Sequence, residues 1–158
     1  MSNETTQLLP LKKVLVATDG SKNADRAVEA SVQIAKEFNA ELIVLSVVMD
    51  LIPPVYSPIG VDVPVIDYSA YLTRAEDDAK KIAADAAIKG EKESVKARSV
   101  VMRSVTSIAE AILAEASKEN VNVIVVGTRG LGGFKKLLLG SVSSAVIDHS
   151  LCSVLVVR

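Results

Sequence analysis

Five short apolar runs alternate along the chain with longer segments in which apolar residues recur every three or four positions. The runs are rich in valine, isoleucine and leucine, a composition typical of strands that are buried on both faces. The predicted strands lie at residues 14–17, 41–49, 94–102, 121–126 and 151–158. The segments between them have the spacing of amphipathic helices. These predicted helices occupy residues 21–39, 68–89, 107–120 and 141–148.

Capping residues mark several of the predicted helix ends. Ser21 can cap the first helix, and Ser107 followed by Glu110 matches a capping box at the start of the third. Gly90 is the predicted end of the second helix, and Asn120 closes the third. The caps therefore agree with the periodicity on where helices begin and end.

The resulting order βαβαβαβαβ indicates an α/β protein. Alternation this regular predicts a Rossmann-like fold, a single doubly wound five-stranded parallel sheet with helices on both faces. Among the few arrangements that right-handed crossovers leave, we expect the strand order 3-2-1-4-5. One domain over residues 11–158 accounts for the chain length, with residues 1–10 as a disordered tail. In such sheets ligands bind beyond the carboxyl ends of the strands, where strand order reverses.

One segment, residues 50–67, interrupts the alternation. It holds four of the five prolines and fits neither the helical nor the strand period. A loop of this length in a compact domain is either mobile or functional.

Charge and composition exclude several classes of function. The 18 basic and 19 acidic residues give a net charge of -1 and are spread along the chain, so we expect no nucleic-acid or membrane-surface partner. A single cysteine, Cys152, and a single histidine, His149, exclude an intrachain disulfide and a His/Cys zinc set. Because no apolar stretch reaches about 18 residues and the start does not resemble a secretory signal, we expect a cytoplasmic protein.

The strongest chemical signal is GTRGLGGFKKLLLGS, residues 127–141, which joins the fourth predicted strand to the fourth helix. Glycines let backbone amides approach a ligand closely, Arg129 adds positive charge, and a helix start at Gly140 and Ser141 leaves N–H groups that need acceptors. The segment predicts a phosphate-binding loop, although glycine-rich turns also serve tight connections alone. Neither GxxxxGK[ST] nor GxGxxG is present.

The spacing of Gly127, Gly130, Gly140 and Ser141 resembles the G-x2-G-x9-G-[ST] nucleotide motif of the ATP-binding branch of the universal stress protein family. The resemblance extends to KKVLVATDGS from Lys12, LIVLSVV from Leu42, and residues 123–157. It implies an adenine-nucleotide site, and a homodimer formed through the C-terminal strand.

The same resemblance implies a role for individual positions. Ala17, Thr18 and Asp19 would flank the adenosine, and Val47 would meet adenine through its backbone. The residues implied to surround the phosphates and ribose are Gly127, Arg129, Gly130, Gly140, Ser141 and Val142. From the residue alone, a turn or cap residue before Gly20 is the favoured interpretation of Asp19, and the ligand role overtakes it only when Asp19 is taken together with the glycine-rich loop. The implied cofactor is ATP, ADP or AMP, with any Mg²⁺ or Mn²⁺ held through the phosphates.

The function predicted on these grounds is that of a nucleotide-dependent dimeric sensor or switch in the stress response, acting on a protein partner that the sequence does not identify. No motif residue is an evident general base, so binding is better supported than turnover. Two alternatives stay open: a slow, partner-dependent ATPase or phosphotransferase, and an interaction scaffold that binds no nucleotide.

Overall fold

The computed structural model describes residues 10–50, 67–128 and 139–158. The predicted N-terminal tail up to residue 9 and the proline-rich residues 51–66 lie outside this part of the chain. Within it, five strands alternate with four helices. The elements are β1 (Lys13–Ala17), α1 (Lys22–Glu37), β2 (Glu41–Met49), α2 (Tyr68–Lys92), β3 (Ala97–Ser104), α3 (Ile108–Lys118), β4 (Val123–Gly127), α4 (Ser141–His149) and β5 (Ser153–Val157).

All strand pairs are parallel, and the order across the sheet is β3-β2-β1-β4-β5. The predicted fold class and strand order are therefore confirmed. Central β1 pairs with β2 on one side, where Ala17 lies opposite Leu45, and with β4 on the other, where Val16 lies opposite Val125. Strand order thus reverses between β1 and β4, which makes this the switch point of the sheet.

The core is aliphatic and lies on both faces of the sheet. Alternate residues of one strand point to opposite faces, so Val14 and Val16 of β1 enter one cluster and Leu15 enters the other. Val28 of α1 packs in the first cluster, and Ile112 of α3 packs in the second. Helices on both sides cover strands that are apolar nearly throughout, which is why the runs show no polar alternation.

Side-chain caps fix two helix starts where they were predicted. Ser21 Oγ accepts a hydrogen bond of 3.2 Å from the amide of Ala24, and Ser107 Oγ accepts one of 3.0 Å from the amide of Glu110. Beyond the end of α3, Asn120 has a φ of 54°, the left-handed conformation that stops a helix. The sequence therefore placed these three boundaries correctly.

The predicted end of the second helix at Gly90 is wrong. Helix α2 continues to Lys92, and Gly90 is buried inside it. A Cβ on Gly90 would lie 3.0 Å from the Cβ of Ala97 and 3.4 Å from Cδ2 of Leu42. Glycine at this position lets the helix approach the sheet closely, so its function is packing rather than termination.

Three strands begin two or three residues later than their apolar runs. Val95 and Val121 precede β3 and β4, and each amide donates instead to a carbonyl of the preceding helix, Val95 to Gly90 and Val121 to Ala116. Both side chains are buried. An apolar residue just after a helix C-terminus can cover the last turn while lying outside the sheet.

An ion-pair network joins three strands and a helix end at the amino edge of the sheet. Arg98 donates through Nε to Glu41 at 2.8 Å and contacts Glu119 through Nη2 at 2.7 Å, and Lys13 Nζ lies 3.2 Å from the same Glu119 carboxylate. The hydrogen bond from Arg98 lowers the pKa of Glu41, and the bonds from Lys13 and Arg98 lower the pKa of Glu119.

A second polar cluster lies at the carboxyl ends of β2 and β3. The Tyr68 hydroxyl donates to Asp50 Oδ1 at 2.6 Å, and Arg103 pairs with Glu76. Desolvation, followed by the hydrogen bond to Asp50, raises the pKa of Tyr68 to about 12. Asp50 and Tyr68 stand on either side of the proline-rich segment, so this bond joins the end of β2 to the start of α2.

Candidate functional site

Most of the predicted site residues gather at the carboxyl edge of the sheet, around its switch point. We call this group the switch-point site, and we define it by the described residues Ala17, Thr18, Asp19, Val47, Gly127, Gly140, Ser141 and Val142. Arg129 and Gly130 lie in residues 129–138, outside the described part of the chain. The site thus combines the end of β1, the overhanging end of β2, the end of β4 and the start of α4.

Side-chain hydrogen bonds shape the turn that leaves β1. Thr18 Oγ1 accepts from the amide of Gly20 at 3.2 Å, and Asp19 Oδ1 accepts from the amide of Ser21 at 3.0 Å. Gly20 has a φ of 76°, a conformation that favours glycine. The turn role left open for Asp19 is therefore present, and it holds the half-buried carboxylate at the switch point.

Val47 presents its backbone beyond the end of β1. The Leu45 carbonyl accepts from the amide of Thr18 at 2.9 Å, so the Leu45 backbone points toward β1. Backbone directions repeat every two residues in a strand, so Val47 presents its N–H and C=O on the same side. The pairing between β1 and β2 ends with Ala17 opposite Leu45. The backbone N–H and C=O of Val47 therefore face the space beyond the end of β1.

Gly127 ends β4 against the first turn of α1. A Cβ on Gly127 would lie 2.9 Å from the carbonyl oxygen of Asn23 and 3.2 Å from the amide nitrogen of Ala24. The sequence suggested glycine here for ligand approach, and the structure adds a packing requirement that is independent of any ligand. The contact holds the end of β4 beside the turn that carries Asp19.

The N-terminus of α4 differs from the other helix starts. Gly140 is its N-cap, with a φ of -77° that any residue can adopt, and no side chain of the described residues caps the helix. Side chains cap α1, α2 and α3 through Ser21, Asp67 and Ser107. Ser141 is exposed and Val142 half-buried. The first amides of α4 therefore offer hydrogen-bond donors and the positive end of the helix dipole at the switch point.

Two residues of the site region were not singled out as site residues from the sequence. Thr128 and Ser143 are buried, with 7% and 3% of their surface exposed. The amide of Gly140 donates to the Thr128 carbonyl at 2.7 Å, and Ser143 Oγ donates to the same carbonyl at 3.2 Å. In the sequence, the only indication that Ser143 could bond to the backbone is its position in the first turn of a predicted helix. Ser141 and Ser144 have the same indication, so it does not single out Ser143.

The part of the chain that the structure describes holds neither a metal-binding cluster nor a membrane-spanning helix. No cluster of three or more His, Cys, Asp or Glu residues there is arranged to hold a metal ion. None of the helices in that part combines the length and apolar character that a membrane crossing requires. His149 Nδ1 lies 2.9 Å from the Ala145 carbonyl in the last turn of α4, consistent with a capping histidine.

The sheet order defines a doubly wound α/β protein in which strand order reverses between β1 and β4, the position at which sheets of this class bind ligands. The profile described as "Universal stress protein family" matches residues 10–158, and the chain belongs to this family. Universal stress protein YxiE of Bacillus subtilis is 37% identical over 147 residues, which cover 92% of this chain and 98% of YxiE.

Solved structures of the family share the fold. Universal stress protein UspA from Lactobacillus plantarum superposes with a TM-score of 0.79 and 25% identity, covering 96% of this chain and 100% of UspA. A universal stress protein solved in complex with cAMP has a TM-score of 0.67 and 25% identity, covering 95% of this chain and 99% of its own.

Proposed function

We propose that this protein binds an adenine nucleotide, ATP, ADP or AMP, at the switch-point site and acts as a nucleotide-dependent dimeric sensor in the stress response. The observation that carries the proposal is that Asp19 follows β1 and α4 follows the end of β4, and these two strands pair with each other at the switch point. The similar universal stress protein solved with cAMP supports an adenine nucleotide as the class of ligand.

The adenosine half of the ligand suits the β1 and β2 side of the site. A carboxylate such as Asp19 accepts hydrogen bonds from ribose hydroxyls. The N–H and C=O of Val47 offer one donor and one acceptor, which matches the edge of adenine, where an amino group adjoins a ring nitrogen. Ala17 and Thr18 line the approach between these two, so we assign all four residues to the adenosine.

The phosphates suit the β4 and α4 side. Backbone amides at Ser141 and Val142, with the helix dipole behind them, favour an anion, and no described side chain competes for them. Gly127 and Gly140 keep the backbone accessible on this side. Arg129 and Gly130 belong to the proposal through the spacing of the motif, with Arg129 supplying charge. We expect Mg²⁺ or Mn²⁺ to bind through the phosphates.

Regulation rather than turnover is favoured by the chemistry of the site. Among the residues that define the switch-point site, Asp19 has the titratable side chain. Its Oδ1 atom accepts a hydrogen bond from the backbone amide of Ser21. Phosphoryl transfer needs an oriented nucleophile as well as charge neutralisation. A sensor needs only a ligand-dependent surface, and we propose that a cytoplasmic partner protein recognises it.

The proposed dimer uses β5, an edge strand of the sheet. Three large apolar side chains lie exposed on or beside this edge: Ile147 (41% exposed), Leu151 (99%) and Leu155 (37%). An exposed edge strand with apolar neighbours is a surface that pairing with a second copy would cover. The predicted homodimer through the C-terminal strand is consistent with this exposure.

Titration calorimetry on full-length, nucleotide-stripped protein tests the proposal. We expect ATP, ADP or AMP to bind, and Asp19→Asn to weaken binding about tenfold through the loss of a charged hydrogen bond. Asp25→Asn is the matched control, because Asp25 lies on α1 and pairs with Lys89 at 3.2 Å outside the site. Absence of adenine-nucleotide binding at millimolar ligand would reject the proposal in favour of a nucleotide-free scaffold.

A single-turnover assay with labelled ATP distinguishes the sensor from the enzyme alternative. Phosphate release at the buffer background is the expected result. Release well above background that Asp19→Asn abolishes would instead establish a slow ATPase at the same site.

A further inference from the structure

We propose that Ser143 is a positioning residue for the switch-point site, acting through the backbone rather than on the ligand; this rests on the nucleotide-binding function proposed above. Its hydroxyl lies 3.2 Å from the Thr128 carbonyl oxygen and 3.0 Å from the Gly140 carbonyl oxygen. These two residues stand immediately beyond the end of β4 and immediately before α4. One side chain therefore touches both ends of the connection between them.

The burial of Ser143 shows that its side chain faces the protein interior rather than the proposed ligand. Only 3% of its surface is exposed, whereas the neighbouring Ser141 is exposed. The single proton of the Ser143 hydroxyl is shared between the carbonyl oxygens of Thr128 and Gly140, so none is left to donate to a phosphate. Its influence on a ligand is transmitted through the position of the α4 amides.

Thr128 is the fixed point to which Ser143 attaches. The amide of Thr128 donates to the Val157 carbonyl of β5 at 2.8 Å, and its carbonyl accepts from the amide of Gly140 at 2.7 Å. Thr128 is thus bonded to the sheet on its N–H side and to the start of α4 on its C=O side. The Ser143 hydroxyl adds a second bond to that carbonyl from within the helix.

The geometry of the first turn of α4 follows from these bonds. The Gly140 carbonyl accepts from the amide of Ser144 at 3.0 Å as well as from the Ser143 hydroxyl. With the hydroxyl removed, the helix loses the side-chain bond that sets its rotation about that point, and the backbone bond from the Gly140 amide to the Thr128 carbonyl opens more often. The N–H groups of Ser141 and Val142 would then be less well oriented toward the phosphates. Anion binding would weaken, because it depends on hydrogen-bond donors that are already in position.

Ser143→Ala is the direct test, and Ser31→Ala is its matched control. Ser31 is fully buried in α1, and its hydroxyl donates to the Val28 carbonyl at 2.7 Å, so each variant deletes one buried hydroxyl. In calorimetric titrations we expect Ser143→Ala to weaken nucleotide binding about five- to tenfold, and Ser31→Ala to leave it within about twofold. Ser143→Thr keeps the hydroxyl and is expected to restore most of the affinity.

Amide hydrogen exchange on ligand-free protein supplies a readout that needs no nucleotide. Exchange at Gly140 is expected to be faster in Ser143→Ala and unchanged in Ser31→Ala. Equal affinity losses in both variants, or wild-type exchange at Gly140 in Ser143→Ala, would overturn the positioning role. Failure of the wild-type protein to bind nucleotide would reject the nucleotide-binding function, whereas Gly140 exchange judges the junction separately.

Discussion

Gly127 at the end of β4 lies directly against Asn23 in the first turn of α1, close enough that an added Cβ would be 2.9 Å from the Asn23 carbonyl oxygen. The opposing atom belongs to the backbone, so it cannot yield by a change of rotamer. One glycine of the predicted nucleotide motif therefore has a packing role in the fold in addition to its proposed role toward the ligand.

Gly127→Ala is expected to lower the free energy of unfolding by about 1–3 kcal/mol, the usual cost of overpacking a well-packed contact. Because relief of the clash must move the end of β4 or the turn after β1, we also expect weaker adenine-nucleotide binding. Urea denaturation followed by circular dichroism gives the first quantity, and calorimetric titration gives the second.

Gly90→Ala is the matched control for this prediction. The new methyl group would also be crowded, at 3.0 Å from the Cβ of Ala97, but on α2 and away from the switch point. Alanine additionally favours the helix by about 1 kcal/mol over glycine, which offsets part of the crowding. We expect unchanged nucleotide affinity. Equal losses of affinity in the two variants would refute a local effect at Gly127.

The ion-pair network around Arg98 predicts a dependence of stability on pH. The pKa values of Glu41 and Glu119 are lowered from their ordinary value of 4.5, so both carboxylates bind fewer protons folded than unfolded. Their contribution to stability is therefore present above about pH 4.5 and is lost as the pH falls through the lowered values. Arg98→Met is expected to reduce stability at pH 7 and to flatten the loss of stability as the pH falls below about 4.5.

Urea denaturation at a series of pH values measures this effect, with Arg26→Met as the control for removing an exposed arginine of α1 outside the network. The Arg98→Met and wild-type stabilities are expected to converge at the acidic end. Parallel curves for these two proteins across the whole range would show that Arg98 does not set the titration of these carboxylates.

The proposed dimer predicts that a charge on β5 separates the two copies. Leu155→Glu places a carboxylate on the half-exposed side chain in the middle of that strand, and we expect sedimentation velocity to show a shift toward monomer. Val105→Glu is the control, because Val105 is 70% exposed but follows β3 at the other side of the sheet. A dimer that persists in Leu155→Glu would place the subunit contact elsewhere.

The strands could be predicted because they depend on local composition, and the handedness of crossovers left few strand orders from which to choose. The role of Gly90 could not, since it depends on contacts with Ala97 and Leu42 that exist only after α2 has docked. The same holds for Val95 and Val121, whose apolar character suggested strand but which cover helix ends.

Part of the candidate site could also be predicted from the sequence. The positions of Asp19 and Gly140 followed from where strands end and helices begin. The inward hydroxyl of Ser143 did not, because Ser141, Ser143 and Ser144 look alike in the sequence and only the rotation of α4 against the sheet distinguishes them.

The bond between Asp50 and Tyr68 bears on how freely this chain can be altered. It fastens the residue after β2 to the first residue of α2, so it holds the two ends of that connection together. A substitution at Asp50 or Tyr68 would therefore act on a strand and a helix at once, although the two residues lie 18 positions apart in the chain.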